Sequence, residues 1–524
     1  MSDVPLHARP EVHERRWFLL GVLCLSLVMI VMAVSSLNVA LPTLQGELDT
    51  SATMLQWIVD AYALVFAGLL LTAGALGDRF GRKGALLVGL AIFGAGALVS
   101  GLATDATFVI VGRAVQGAGA ALVMPATLSL ITAVFPPEER GRAIAIWVGF
   151  AGAGGALGPI VSGALLEHFW WGSAFLVNIP IVALTAVAVA VYSPRSRDDE
   201  ATPLDPRGAL LSFVGLAALL FGIIEGPERG WTSMMVLGTF AVAAAFLVGF
   251  IRWERVAPHP MLPLSYFSDR RFSVGSAVVT TSFFVMFGFF FLFSLYLQFA
   301  RGYSPLDAGL ATLPFAATIV LVSPRSATLA ERLGGGRTIA SGFVLVAVGM
   351  LVMSFIAVDT PYLVLVGAMV LLSAGMAVVA APATGGIMSA VPLSKAGVGS
   401  AVNDTTRELG GALGIAVFGS LVNSAYRANV DLGGVELSPS AAAEAEESIG
   451  GAAATAARTG GETGAAIVDQ AATAFTDAFN LASFVSLAIA AAAAGIVAHT
   501  FTRAKEQRAV TVTEVELATA GAPE

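Results

Sequence analysis

Fourteen predominantly apolar stretches follow one another along the chain. Each is close to the length of about 20 residues that a helix needs to cross the ~30 Å hydrocarbon core of a bilayer. Their approximate limits are residues 17–37, 55–76, 85–103, 108–132, 143–165, 174–192, 207–225, 233–251, 272–299, 307–329, 338–357, 361–382, 397–424 and 477–501. Gly and Pro interrupt many of them, which helices in a membrane tolerate. Hydrophobic residues make up 56% of the 524-residue chain and charged residues 12%, against roughly 45–50% and 25% in soluble domains. No soluble fold hides that much apolar surface behind so few charges, and disordered chains are charge-rich and apolar-poor. The net charge of −8 lacks the basic balance of a nucleic-acid binder. The expected fold class is an all-α integral membrane protein with 14 transmembrane helices.

Lys and Arg in the connections orient the spans. With the N-terminus cytoplasmic, 22 of the 28 Lys and Arg fall on the cytoplasmic side. Arg229, Arg301, Arg427 and Arg458 fall on the other, and Arg113 and Arg407 lie inside spans. An error of one span would scramble this bias, so both termini are expected in the cytoplasm. The basic start (residues 1–16) lacks a small-residue cleavage site after a short apolar run, so span 1 reads as retained. The single cysteine, Cys24, has no partner for a disulfide and fits no metal spacing.

An internal repeat emerges from two matches at nearly one offset. GALGDRFG after span 2 (Gly74–Gly81) corresponds to ATLAERLG after span 10 (Ala327–Gly334), 253 residues on. GGALG at Gly154–Gly158 in span 5 returns at Gly410–Gly414 in span 13, 256 residues on. Spans 1–6 therefore read as repeated in spans 9–14, with two extra helices between. Parallel six-helix halves with a site at their interface form a known transporter plan. The expected boundaries are an N-terminal segment 1–16, a first bundle 17–192, a connector with two inserted helices 193–271, a second bundle 272–502 including an outer loop 426–475, and a tail 503–524.

Several motifs carry a family likeness: NVALP (Asn38–Pro42), QWIVDAYAL (Gln56–Leu64), GALGDRFGRK (Gly74–Lys83), GRAVQGAGAA (Gly112–Ala121), GGALGPIVSG (Gly154–Gly163), LVNIP (Leu176–Pro180) and LDPRG (Leu204–Gly208). Over nearly its whole length the sequence resembles the major facilitator superfamily, specifically its fourteen-span drug:proton antiporters of the QacA/EmrB type. It departs from them at Ala33, where an aspartate usually stands five residues before the Asn of NVALP, so another group must serve or the coupling differs.

Intramembrane charge is costly, about 2.5–3.5 kcal/mol by insertion scales, so each instance raises a functional question. Asp404, Arg407 and Glu408 share one face of span 13 near mid-bilayer. Arg407 neutralises one carboxylate but not both, and the surplus acid, Glu408 ahead of Asp404, is expected to take up and release a proton. The alternative is a self-neutralised cluster that locks helices together. Asp60 in span 2 and Arg113 in span 4 lie at similar depth, as an ion pair or with Asp60 attracting a cationic substrate while Arg113 modulates its protonation. The resemblance implies a proton relay through Arg113 with Gln116.

Gly154, Gly158 and Ser162 form a small-residue face that lets a neighbouring helix approach, and Pro159 favours a bend. The resemblance implies that this element, through Gly163, closes the outer side of the cavity and biases transport toward export. It further implies that Gly74, Asp78, Arg79, Gly81, Arg82 and Lys83 act as a conformational latch, with Glu331 and Arg332 as a weaker copy. Positive-inside anchoring is the simpler alternative. The rings of span 9, Phe283 to Tyr296, surround their helix and read as packing and lipid contact. Glu225 and Asp307, near span ends, read as solvated, and His168, His259 and His499 receive no role. The segment from Ala425 to Phe475 reads as a flexible connector, with a partly helical cap as the alternative, and the tail beyond Arg503 reads as mobile.

The function expected from these readings is proton-coupled secondary active export of amphipathic organic compounds such as drugs or antibiotics, by alternating access across a bacterial plasma membrane. No GxxxxGK[ST] motif occurs, so the proton gradient is expected as the energy source and no cofactor is expected. The expected partners are a small amphipathic molecule, protons and the bilayer, without nucleic acid or an obligate protein. The alternatives are a dedicated exporter of one natural product or lipid, and, with less support, a non-transporting sensor or scaffold. No nucleophile–base set or metal cluster points to an enzyme.

Overall fold

A computed structural model describes residues 6–48, 52–196, 203–432, 434–435 and 437–520. Among these residues fourteen helices are long and apolar enough to cross a membrane. They are α1 (Pro10–Ser35), α2 (Met54–Phe80), α3 (Arg82–Gly101), α4 (Ala106–Val134), α5 (Pro137–His168), α6 (Ser173–Tyr192), α7 (Pro206–Pro227), α8 (Met234–Val256), α9 (Arg270–Ala300), α10 (Leu306–Leu333), α11 (Gly335–Met353), α12 (Tyr362–Ser389), α13 (Leu393–Asn429) and α14 (Gly461–Thr500). Each matches one expected span. Most extend past the apolar core by a turn or more, because the helical ladder continues after the hydrophobic stretch ends. Parts of the expected N-terminal segment and of the 193–271 connector lie outside the described residues, as do the side chains of Asn38 and Pro42 in NVALP.

The repeat is visible in the packing. Helix α1 lies on α5 as α9 lies on α13, and α3 lies on α4 as α11 lies on α12. A Cβ on Gly154 would meet the Val28 carbonyl oxygen at 3.0 Å, and one on Gly158 would meet the Met32 oxygen at 2.8 Å and the Ser35 hydroxyl at 2.0 Å. In the second half, a Cβ on Gly410 would meet the Thr280 oxygen at 2.4 Å, and one on Gly414 the Phe284 oxygen at 2.1 Å. The two copies of GGALG thus perform one task, allowing backbone-to-backbone approach of the fifth helix of a half to its first. Gly81 and Gly334, also 253 residues apart, both adopt positive φ (108° and 85°) where one helix ends and the next begins. A residue with a Cβ is strained there, whereas glycine is not.

The halves meet along α5 with α10 and α12, and along α13 with α2 and α4. Each half has its own apolar core, and the second includes a stack of Phe289, Phe293, Tyr296 and Phe479. The rings of α9 therefore divide: these three are buried, while Phe287 and Phe291 are exposed. Of the inserted pair, α7 packs against both α2 and α13. Phe221 of α7 lies against Trp57 of α2, and Trp231, four residues past the end of α7, donates from Nε1 to Ser420 of α13 at 3.1 Å.

Two expectations are corrected. Glu225 is buried and ion-paired with Arg229, one helical turn on, so it is not solvated. The 425–475 segment is a helical cap, with helices at Pro439–Glu447 and Ile449–Thr459 leading into α14. Alanine favours helix, Ser438 and Ser448 cap the two N-termini, and the Tyr426 hydroxyl donates to the Ala445 oxygen at 2.8 Å. Burial of Ile449, Ala452 and Ala456 then fixes the cap. The helix of α14 runs on to Ala520, with no Gly or Pro between Gly495 and that residue. Asp307 is exposed, as expected.

Two substitution pairs test this packing. Gly158→Ala is expected to lower the melting temperature of the purified protein, by overpacking of about 1–3 kcal/mol. Gly155→Ala, where a Cβ meets nothing within 4 Å, should leave it unchanged. Likewise Gly81→Ala should destabilise by roughly 1–2 kcal/mol through its left-handed backbone, while Gly84→Ala, in open helical space, should not.

Candidate functional site

At the arginine-rich end, α2 finishes against the start of α13. Gly74 and Gly397 face each other so closely that a Cβ on either would lie 2.5 Å from the other's carbonyl oxygen. This approach carries Asp78 onto the N-terminus of α13, where its oxygens accept from the backbone N–H of Gly397 (2.9 Å) and Val398 (3.1 Å). The α-helical part of α13 begins at Ala396 after a 3-10 turn, so those amides have no acceptor within it, and the helix dipole favours a negative charge there. Arg82 completes the arrangement. Its guanidinium pairs with Asp78 at 2.9 Å and also donates to the Leu393 oxygen and to Ser196 Oγ (3.0 Å). Lys83 donates to the Ala190 and Ser193 oxygens at 2.7 and 2.8 Å, tying α3 to the end of α6. Arg79 stacks its guanidinium 5.3 Å from the Phe80 ring centroid.

Deeper in the seam, each half contributes buried polar groups. From the first half, Arg113 of α4 is 1% exposed. It donates to the Ile58 oxygen and to Gln116 Oε1, both at 3.2 Å, and lies 4.3 Å over the Tyr62 ring. Asp60 stands half-buried on α2, two residues before Tyr62. From the second half, Asp404, 1% exposed, pairs with Arg407 at 3.6 Å and accepts from Asn403 Nδ2 at 3.2 Å. Asn403 in turn accepts from Thr384 of α12 at 3.0 Å. Arg407 lies 4.6 Å over Phe283 of α9 and 5.4 Å over Trp147 of α5, so it crosses the seam. Glu408, half-buried, follows Arg407 directly and stands one helical turn past Asp404 on α13.

The helical spacing in α13 thus brings Asp404, Arg407 and Glu408 together as expected, and Arg113 with Gln116. Sequence reading missed Tyr62, Trp147, Asn403 and Thr384, which hold the arginines and Asp404. The available signal was the placement of Tyr62 and Trp147 beside charged or small-residue motifs. Among the described residues, Asp404 Oδ2, Gln116 Nε2, Tyr62 Oη and Trp147 Nε1 are buried without a hydrogen-bond partner. Buried polar atoms normally have one, from protein or from ordered water. Ala33, at the position of the family's aspartate, is buried in the apolar core of the first half.

The GGALGPIVSG element of α5 shows two faces. Gly154 and Gly158 turn to α1, and the Ser35 hydroxyl donates to the Gly154 oxygen at 3.4 Å. Pro159 and Gly163 turn to α10 of the other half, where a Cβ on Gly309 would meet Pro159 at 3.3 Å and one on Gly163 would meet Leu306 at 3.5 Å. Ser162 is fully buried between.

Comparison with known proteins agrees with this architecture. Residues 23–415 match the family model described as Major Facilitator Superfamily. The multidrug efflux pump LfrA of Mycolicibacterium smegmatis is 36% identical over 93% of this chain and 97% of its own length. The methyl viologen resistance protein SmvA of Salmonella typhimurium is 34% identical, covering 80% and 85%. The methylenomycin A resistance protein of Streptomyces coelicolor is 35% identical, covering 81% and 89%. The crystal structure of the human organic anion transporter MFSD10 (TETRAN) superposes with a TM-score of 0.57 at 15% identity, over 91% of this chain and all of that one, a likeness of fold alone. The chain belongs to the Major Facilitator Superfamily.

Proposed function

We propose that this protein exports amphipathic organic compounds, drugs or antibiotics among them, across a bacterial plasma membrane in exchange for protons. One observation carries the reading. Two carboxylates, Asp404 and Glu408, flank a single guanidinium, Arg407, on α13; Asp404 pairs with it at 3.6 Å, and Arg407 reaches across the seam to Trp147 of the other half. A desolvated acid without a full counter-charge accepts a proton, and a cationic or polar substrate competes for the same carboxylate. Proton binding and substrate binding then exclude one another, which is what exchange requires. The relatives' names, efflux pump and resistance protein, support the same direction of transport.

In this reading the arginine-rich end is cytoplasmic, with both termini there, because Lys and Arg collect on that side. The Asp78–Arg82 contact to α13 is the latch of the state closed to the cytoplasm. Helix α5 couples the two halves through Pro159 and Gly163 while its other face stays fixed to α1. Asp60, beside Tyr62 on α2, offers an acid to a cationic substrate, and Arg113 with Gln116 passes the influence of charge between them. Each proton entering down 100 mV supplies about 2.3 kcal/mol, without a cofactor or a partner protein.

A second reading, export of one dedicated natural product, is favoured by the relatives named for a single antibiotic, methylenomycin A and tetracenomycin C. A narrow substrate profile supports it over the first.

The test uses proteoliposomes with an imposed pH gradient and ethidium as the probe. Wild-type protein is expected to accumulate ethidium and to stop when an uncoupler is added, and Glu408→Gln should reduce gradient-driven uptake at least tenfold. Uptake that is unchanged in Glu408→Gln contradicts the assignment of the proton site.

A further inference from the structure

On the outward face of α10, near the arginine-rich end, a groove of about 350 Å³ opens between α10 and α12. Arg325, Thr328 and Arg332 line it together with the apolar side chains of Val322, Leu329 and Val378. We propose that this groove binds the phosphate headgroup of an anionic phospholipid, with an acyl chain lying along its apolar wall.

Three observations lead there. Arg325 and Arg332 stand seven residues apart, two turns or roughly 10 Å, on one face of α10. Both are exposed, and among the described residues neither is paired with a carboxylate within 4 Å. Arg325 donates only to the Leu321 oxygen of its own helix, and the neighbouring acid, Glu331, does not line the groove.

Second, Arg325 lies eight residues inside the end of α10 at Leu333, about 12 Å from it. A guanidinium at that depth is costly in hydrocarbon unless it reaches toward the headgroups, and a phosphate drawn to it removes the cost. Leu321, one turn deeper on the same face, is 63% exposed, as a lipid-facing side chain is.

Third, the repeat does not account for Arg325. At the offset of 253 residues Arg332 corresponds to Arg79, but Arg325 corresponds to Thr72. The second arginine is thus particular to this half, and it completes a cationic site between two transmembrane helices at the level where basic pockets recognise phosphate headgroups.

Native mass spectrometry of the delipidated full-length protein in detergent tests the proposal. It is to be titrated with dioleoyl-phosphatidylglycerol, dioleoyl-phosphatidylcholine or inorganic phosphate. Wild type is expected to retain phosphatidylglycerol about tenfold better than phosphatidylcholine, and millimolar phosphate should not displace it. The double variant Arg325→Gln/Arg332→Gln should lose that preference, and Arg325→Lys/Arg332→Lys should keep part of it. Both pairs face outward, and unchanged melting temperatures will show that they fold. The control pair Arg252→Gln/Arg255→Gln, exposed on α8, removes equal charge elsewhere and should retain the preference. Equal retention by wild type and the Gln variant, equal loss in the control pair, or displacement by inorganic phosphate would each overturn the proposal.

Discussion

A carboxylate held against the start of a helix organises this protein. Asp78 is 2% exposed, and an ionised side chain so buried is tolerated only when other groups replace its water. Two amides at the N-terminus of α13 and the guanidinium of Arg82 do so. The amides belong to the second half of the molecule, whereas Asp78 and Arg82 belong to the first. One satisfied charge therefore joins the halves, and the joint exists only while Gly74 and Gly397 let the two backbones touch. Separation of the halves at this end strips the carboxylate of its amides, so the cost of opening is built into the same contact.

The internal repeat makes the asymmetry of this joint informative. The counterpart of Gly74 is Ala327, and that of Gly397 is Gly141, and these two also meet across the seam between α10 and α5. A Cβ on Gly141 would lie 3.7 Å from Ala327, ordinary contact instead of the 2.5 Å approach on the other side. The counterpart of Asp78, Glu331, is exposed. One of two related contacts is thus tight and charged, and the other is loose and neutral. Helix α7 adds a third connection, since it touches α2 and α13 at once. The inserted pair therefore bridges the seam and is more than a spacer between bundles.

The architecture was legible in the sequence because bilayer thickness imposes a ruler and glycine marks where the ruler is broken. The fourteen spans, the repeat and the arginine-rich end follow from those two facts, as does the shared face of Asp404, Arg407 and Glu408. What escaped reading depends on contacts between residues far apart in the chain. Nothing local to Arg113 indicates that the ring of Tyr62 will cover it, or that Arg407 will reach Trp147 on the other half. Glu225 looked solvated because it ends a span, yet Arg229 one turn away permits its burial. The cap at 439–459 looked like a connector because its Ala, Gly and Glu composition lacks apolar periodicity. Its stability comes from two serine caps and from Tyr426, which reaches it from α13.

If the Asp78 contact holds the arginine-rich end shut, weakening it must change the distance between the halves there. Spin labels at positions 138 and 331, both exposed and placed on opposite halves at that end, measure this by double electron–electron resonance in nanodiscs. The account predicts one dominant short distance in the otherwise native protein, and a second, longer population when Asp78→Asn is added. A distance distribution that Asp78→Asn leaves unchanged would contradict it.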